Sequence, residues 1–193
     1  MLPRTPKTGL WTIALLVLAG LSCKQIQSLA RPKVLTSPDG KFQLTVPGSW
    51  QVRNELHQRA GIKAANLLQE TYVILITEDK SDFSDDMTLD RFTEVTQGAM
   101  IKRVTDGNAS SPLPITINGK DSRQYTLDGV VNGVKISYLV TAVETAANYH
   151  QIITWTLRSR IDQNRAVLQK VTESFRSLSE QESVSHGSTS SQP

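Results

Sequence analysis

The chain contains one cysteine, Cys23, and it stands at the end of an apolar run. A single thiol can close no internal disulfide, so whatever folds behind it must be held by apolar burial and hydrogen bonding alone. The residues ahead of it have the make-up of an export signal: Arg4 and Lys7 at the basic start, apolar residues over 10–21, and small side chains at Ala19, Gly20 and Ser22. As a helix, the run 10–21 would be about 18 Å long, against roughly 30 Å of bilayer hydrocarbon, which is too short to span.

Ala19-Gly20-Leu21-Ser22-Cys23 resembles the bacterial lipobox, with Gly20 and Leu21 looser than the pairs that motif favours. The resemblance implies cleavage after residue 22 and lipid attached to the Cys23 sulfur; a plain secretory signal is the alternative. Two acyl chains, at about 0.8 kcal/mol per buried methylene, would anchor a protein stably where one would not. Cleavage leaves 171 of the 193 residues and removes Arg4 and Lys7, so 19 basic side chains face 18 acidic ones. A net charge near +1, with no basic block interleaved with aromatics, gives no support for a nucleic-acid surface.

That length suits one domain. Residues 23–36 are polar, carry Pro32 and read as a lipid-anchored tether. Residues 179–193 hold six serines and almost no apolar side chains, and read as a disordered tail. The domain is therefore expected over 37–178.

Within it, Pro38-Asp39-Gly40 reads as a turn feeding a strand, Phe42–Val46, with Phe42, Leu44 and Val46 on one face. Residues 72–77 are apolar on both faces, as in a central strand covered on both sides. Asn118-Gly119 and Asn132-Gly133 are type I′ hairpin turns. They organise a meander over 113–117, 121–130, 134–143 and 149–157. Leu89, Phe92, Val95, Ala99 and Met100 recur at helical spacing behind a Thr88 cap. A second helix is expected over 162–178, capped by Asp162 or Ser159, with Leu168, Val171, Phe175 and Leu178 as its buried stripe. Helices set apart from an antiparallel meander make an α+β domain.

Ser37-Pro38-Asp39-Gly40, then Phe42, Leu44, Val46-Pro47 and Trp50, an acidic loop into Leu89 and Phe92, and a closing helix with Ser174-Phe175 together resemble the PsbP and DcrB-like domains. The resemblance covers nearly all of 38–178. It implies an α-β-α sandwich around a mainly antiparallel β-sheet. It also implies binding rather than chemistry, since that family includes extrinsic photosystem II proteins, assembly helpers and envelope lipoproteins; fold analogy cannot choose among these.

Residues that could carry chemistry are few. Of three histidines, His186 lies in the tail, His57 in a polar segment, and His150 at the start of the last meander strand on the face opposite Tyr149, Ile153 and Trp155. A metal site needs several convergent ligands, and exposed or locally hydrogen-bonded histidines are the simpler expectation, so no metal, cofactor or catalytic residue is assigned. No H-E-x-x-H, G-x-S-x-G or G-x-x-x-x-G-K pattern is present. Glu78, Asp79, Asp82, Asp85 and Asp86 form the densest charge cluster, without the alternate-position spacing of a calcium loop. They can act as solvated acids favouring a following helix N-terminus, and Asp82, Asp85 and Asp86 are the candidate docking residues. Trp50 is expected in the core at the sheet edge, or else on a binding surface. Asn108-Ala109-Ser110 matches a glycosylation sequon that would be accidental in a bacterial lipoprotein.

The expectation is a lipid-anchored, non-catalytic accessory protein on the extracytoplasmic face of a bacterial membrane, periplasmic or thylakoid-lumenal, with a membrane protein complex as partner. Photosystem II would be that partner in a photosynthetic source. The alternative is a small hydrolase or metal-dependent envelope enzyme using the acidic loop, His57 and His150.

The anchor is directly testable. Acyl insertion is driven by apolar burial and is scarcely screened by ions, so the protein should stay with membranes through washes at about 1 M salt, where the Debye length is near 3 Å, and leave in detergent. Cys23→Ser should abolish labelling by fatty acid. Mass spectrometry showing an unmodified mature terminus other than Cys23 would reduce residues 1–22 to an ordinary export signal.

Overall fold

The computed structural model describes residues 31–178; the export segment, Cys23, most of the tether and the tail 179–193 lie outside the described residues. Among the described residues eleven strands and two α-helices follow in the order β1 (Lys33–Thr36), β2 (Phe42–Val46), β3 (Gln51–Val52), β4 (Ile62–Asn66), β5 (Thr71–Asp79), α1 (Leu89–Ile101), β6 (Thr105–Ala109), β7 (Leu113–Ile117), β8 (Lys120–Val131), β9 (Val134–Glu144), β10 (Asn148–Leu157), α2 (Ile161–Glu173) and β11 (Arg176–Ser177). One sheet runs β3-β4-β5-β10-β9-β8-β6, with β7 also paired to β8; a small sheet runs β1-β2-β11. Every pairing is antiparallel.

The alternation of side chains along β5 and β10 divides the core. Val73, Leu75 and Ile152 pack with Leu168 and Val171 of α2 and with Phe42, Leu44 and Val46 of the small sheet. Ile74, Ile76 and Ile153 point the other way, toward Met100 and Ile101 of α1. The architecture is thus the expected α+β arrangement, an α-β-α sandwich with β5 inside the sheet and apolar on both sides. Trp50 is 1% exposed and belongs to the core on the α2 side.

The hairpin asparagines sit at positive φ, Asn118 at 47° and Asn132 at 50°, each followed by a glycine near 80°, as type I′ turns require. Asn118 has a second task. Its Nδ2 donates to the carbonyls of Glu173 (2.9 Å) and Phe175 (2.7 Å), satisfying acceptors at the C-terminal end of α2. Ser174 accepts from the Thr45 amide at 2.8 Å, so the same helix end is stitched to β2.

Four readings are corrected. Residues 33–36, assigned to the tether, form β1, because Lys33 pairs opposite Val46 and Leu35 opposite Leu44. The second helix ends at Glu173, and Arg176–Ser177 pairs with β2 instead, which leaves Phe175 buried but takes Leu178 off the helical stripe. Neither Asp162 nor Ser159 caps it: Arg160 occupies that position without a side-chain bond, directly after the 3-10 turn Arg158–Arg160. In α1, Thr88 does cap, accepting from the Arg91 amide at 3.2 Å, but Val95 is 52% exposed and Ala99 is also on the surface.

The double role of Asn118 sets an expectation. Asn118→Gly keeps the turn geometry and loses both bonds, and should cost about 1–2 kcal/mol; Asn118→Ala adds the strain of positive φ and should cost about 1 kcal/mol more. Denaturant titration of both variants measures the difference, and equal, near-zero values would show that the contact to α2 contributes nothing.

Candidate functional site

The sheet is seven strands wide along its main path. At about 4.8 Å per strand spacing, that is close to 30 Å across, whereas a helix with its side chains is about 10–12 Å wide. On the α2 face the small sheet shares the covering. On the other face α1 is the only α-helix among the described residues, and it is held to one side: Arg123 of β8 binds Asp90 through Nε at 2.5 Å and Nη2 at 3.3 Å, and Gln97 donates to the Ser110 carbonyl at 2.9 Å. The strip of sheet over β4, β5 and β10 is left open.

The result is a groove of about 940 Å³, within the size range of small-molecule sites. Its floor is Ile74, Ile76, Gln151, Ile153 and Trp155; Val95, Ala99 and Met100 of α1 form one wall, and Leu56 and His57 the other. Apolar side chains dominate the lining. At one end Trp155 stacks on Tyr72 (centroids 5.0 Å, planes 8° apart) and meets Tyr138 at 6.1 Å, an aromatic ladder across β5, β10 and β9. At the other end Phe83, Phe92 and Tyr149 pack together, Phe92 and Tyr149 with centroids 4.7 Å apart, and the Tyr149 hydroxyl donates to the Met87 carbonyl at 2.7 Å.

The groove is electrically uneven. Phe83 and Met87 line it, which brings the exposed Asp82, Asp85 and Asp86 to its mouth at that end. Within the cluster Glu78 pairs with Arg59 at 2.6 Å, Asp79 accepts from the Ser81 amide at 2.9 Å and Asp86 accepts from the Ser84 hydroxyl at 2.5 Å, and these hydrogen bonds hold the Asp79 and Asp86 carboxyls below the usual range. Across from them, Arg103 follows α1 and Lys63 stands opposite Ile74 in the β4–β5 register. Burial lowers the affinity of His57 for protons, and the neighbouring charges of Arg59, Arg103 and Lys63 lower it further.

The structure does not bring the two histidines together. His57 lines the groove on the α1 face, whereas His150 is completely buried on the α2 face, its ring 4.4 Å from Phe42. Thr145 hydrogen-bonds the Asn148 carbonyl and so accepts from His150 Nε2 at 3.1 Å, leaving Nδ1 to accept from Thr77 at 3.0 Å. Both ring nitrogens are satisfied in the neutral state, and burial pushes the group down to about 3. Among the described residues no cluster of three or more His, Cys, Asp and Glu side chains is placed to hold a metal ion. Asn108 lies in β6, and Cys23 lies outside the described residues.

Sequence reading did not find the groove, because its residues come from strands and a helix whose apolar members look like core. The one available signal was α1 itself, whose apolar stripe 92, 95, 99 and 100 is longer than one end of a sheet can bury.

Fold and sandwich geometry together define an α+β domain, an α-β-α sandwich around an antiparallel sheet. Among solved structures the chain resembles cyanobacterial PsbP from Synechocystis sp. PCC 6803, with a TM-score of 0.56 at 12% identity over 77% of this chain and 93% of that one. It also resembles LpqN of Mycobacterium tuberculosis, described as involved in cell envelope biogenesis, with a TM-score of 0.55 at 15% identity over 75% and 89%. No family model and no curated protein matches the sequence. At such identities the likeness establishes the fold alone.

A neutral buried histidine makes stability depend on pH. Between the ordinary value of 6.5 and about 3 the unfolded chain binds a proton that folded His150 does not, so stability should fall by up to about 1.4 kcal/mol per pH unit on acidification through that window. In His150→Gln this contribution should vanish. Parallel urea titrations at pH 7 and pH 4.5 should show a smaller loss for the variant than for the wild type, and equal losses would mean that His150 is protonated in the folded protein.

Proposed function

We propose that the protein is a lipid-anchored, non-catalytic accessory protein on the extracytoplasmic face of a bacterial membrane, where it binds or helps assemble a membrane protein complex. Photosystem II is the partner to test first if the source is photosynthetic. The observation that carries the reading is the groove: a long apolar trough with half-exposed aromatics at one end and exposed acids without cationic partners among the described residues at the other suits capture of a partner. The fold it shares with cyanobacterial PsbP and LpqN supports this, as does the Cys23 signal. A hydrolase or metal enzyme would need His57, His150 and the acidic loop to converge, and the sheet stands between the two histidines.

Photo-crosslinking from position 95 in detergent-solubilised native membranes, followed by affinity purification, tests the proposal. A defined membrane protein should be captured there, and changing Asp82, Asp85 and Asp86 together to asparagine should weaken capture without altering the melting temperature. Capture of the same partner from exposed positions on the α2 face but not from 95 would place the docking surface elsewhere.

A further inference from the structure

The groove has the shape and charge of a site for a particular ligand class. We propose that it binds a single-chain anionic amphiphile, with the acyl chain along the Ile74, Ile76 and Ile153 floor and the anionic head at the Lys63–Arg103 end. The inference rests on reading the groove as the protein's binding surface, and it names what lies in it.

Three observations support the assignment. The floor and the α1 wall form a largely apolar strip: Ile74 and Ile153 are directly paired across β5 and β10 with Ile76 beside them, and Gln151, opposite Ile76, is the polar side chain of the floor. Burying such a strip against a chain of methylenes is favourable in proportion to the area covered. Second, two cations on the groove face are not balanced: Arg59 is tied to Glu78 near the acidic end, but among the described residues neither Arg103, in the groove lining, nor Lys63, on the same face opposite Ile74, has a salt-bridge partner. Their fields converge on His57, whose basicity they reduce. Third, His57 Nδ1 is shielded from solvent and has no hydrogen-bond partner, and a buried nitrogen in that state gains from a ligand that reaches it. The acids Asp82, Asp85 and Asp86 at the opposite mouth repel an anion there and so fix the ligand's direction.

The test uses the full chain carrying Cys23→Ser, so that no acyl group of its own competes, and dodecanoate and dodecanol below their aggregation limits as probes. Dodecanoate should bind by calorimetry at least about ten-fold more tightly than dodecanol, as charge-assisted hydrogen bonds allow. Lys63→Gln with Arg103→Gln should erase that preference while leaving dodecanol binding unchanged. A brominated fatty acid should quench tryptophan emission, and Trp155→Phe should remove most of the quenching. Ala99→Trp, at an exposed wall position, should block both probes without loss of thermal stability. Equal affinity for the two probes, no binding by a normally melting protein, quenching indifferent to Trp155→Phe, or a groove closed by a second copy in sedimentation would each overturn the proposal. Crosslinking from position 95 that persists when neither probe binds would overturn the amphiphile while leaving the accessory role standing.

Discussion

A wide sheet that is apolar on both faces must be covered on both, and this chain supplies unequal cover. On one face α2 and the small sheet close over Val73, Leu75 and Ile152. On the other, among the described residues, α1 shares the task with the 54–60 segment, through Leu56 and Ala60, and is itself tied toward β8 by Arg123 and Asp90. The groove lies between α1 and the Leu56–His57 segment, where the sheet is wider than the two together cover. Every apolar residue left on its floor is a desolvation gain that folding has not collected and that a ligand or partner can.

The well-covered face is where stability is concentrated. Asn118, Ser174 and the strand β11 fasten the end of α2 to a hairpin and to β2, so the helix cannot slide along the sheet without breaking three kinds of contact at once. His150 belongs to that packing. Its ring lies between Phe42 and Phe175 and its nitrogens meet two threonines, which is the environment of a neutral structural histidine rather than of a group that exchanges protons in turnover.

The elements most legible in the sequence were those whose signal is local. Asn-Gly pairs demand positive φ wherever they occur in a hairpin, so Asn118 and Asn132 announced the meander. Strict alternation in Phe42–Val46 and two-faced apolarity in β5 likewise need no distant partner to be recognised. The short strands β1, β3 and β6 were invisible because register with β2, β4 and β8, not composition, makes them strands; β6, Thr-Asp-Gly-Asn-Ala, reads as a turn until it is paired. The site failed for a related reason. Val95 and Ile153 look alike as apolar positions in periodic segments, and only the position of α1 on the sheet makes one a wall and the other a floor. The acidic cluster was visible, but which of its members are engaged depended on Arg59 reaching Glu78 and on Ser81 and Ser84 turning to Asp79 and Asp86.

The path of the chain gives the groove a direction. Lys33 lies opposite Val46 and donates to the Trp50 carbonyl at 3.1 Å, and Asn66 reaches Ser49, so the start of β1 shares one end of the molecule with the β4–β5 turn, where Leu68 is 91% exposed. The acidic turn stands at the other end of β5, whose nine residues extend about 30 Å. An anchor at Cys23 would be eight residues from Arg31 and so within about 29 Å of it. Held that way, the Leu67–Leu68 tip and the Tyr72–Trp155 end of the groove would lie nearer the bilayer than Asp82, Asp85 and Asp86. An amphiphile leaving the membrane would then meet the aromatic end first, and a protein partner above the membrane would meet the acids. Such an anchor would bring one end of the groove nearer the membrane than the other, because the sheet fixes both ends relative to β1, where the described chain enters.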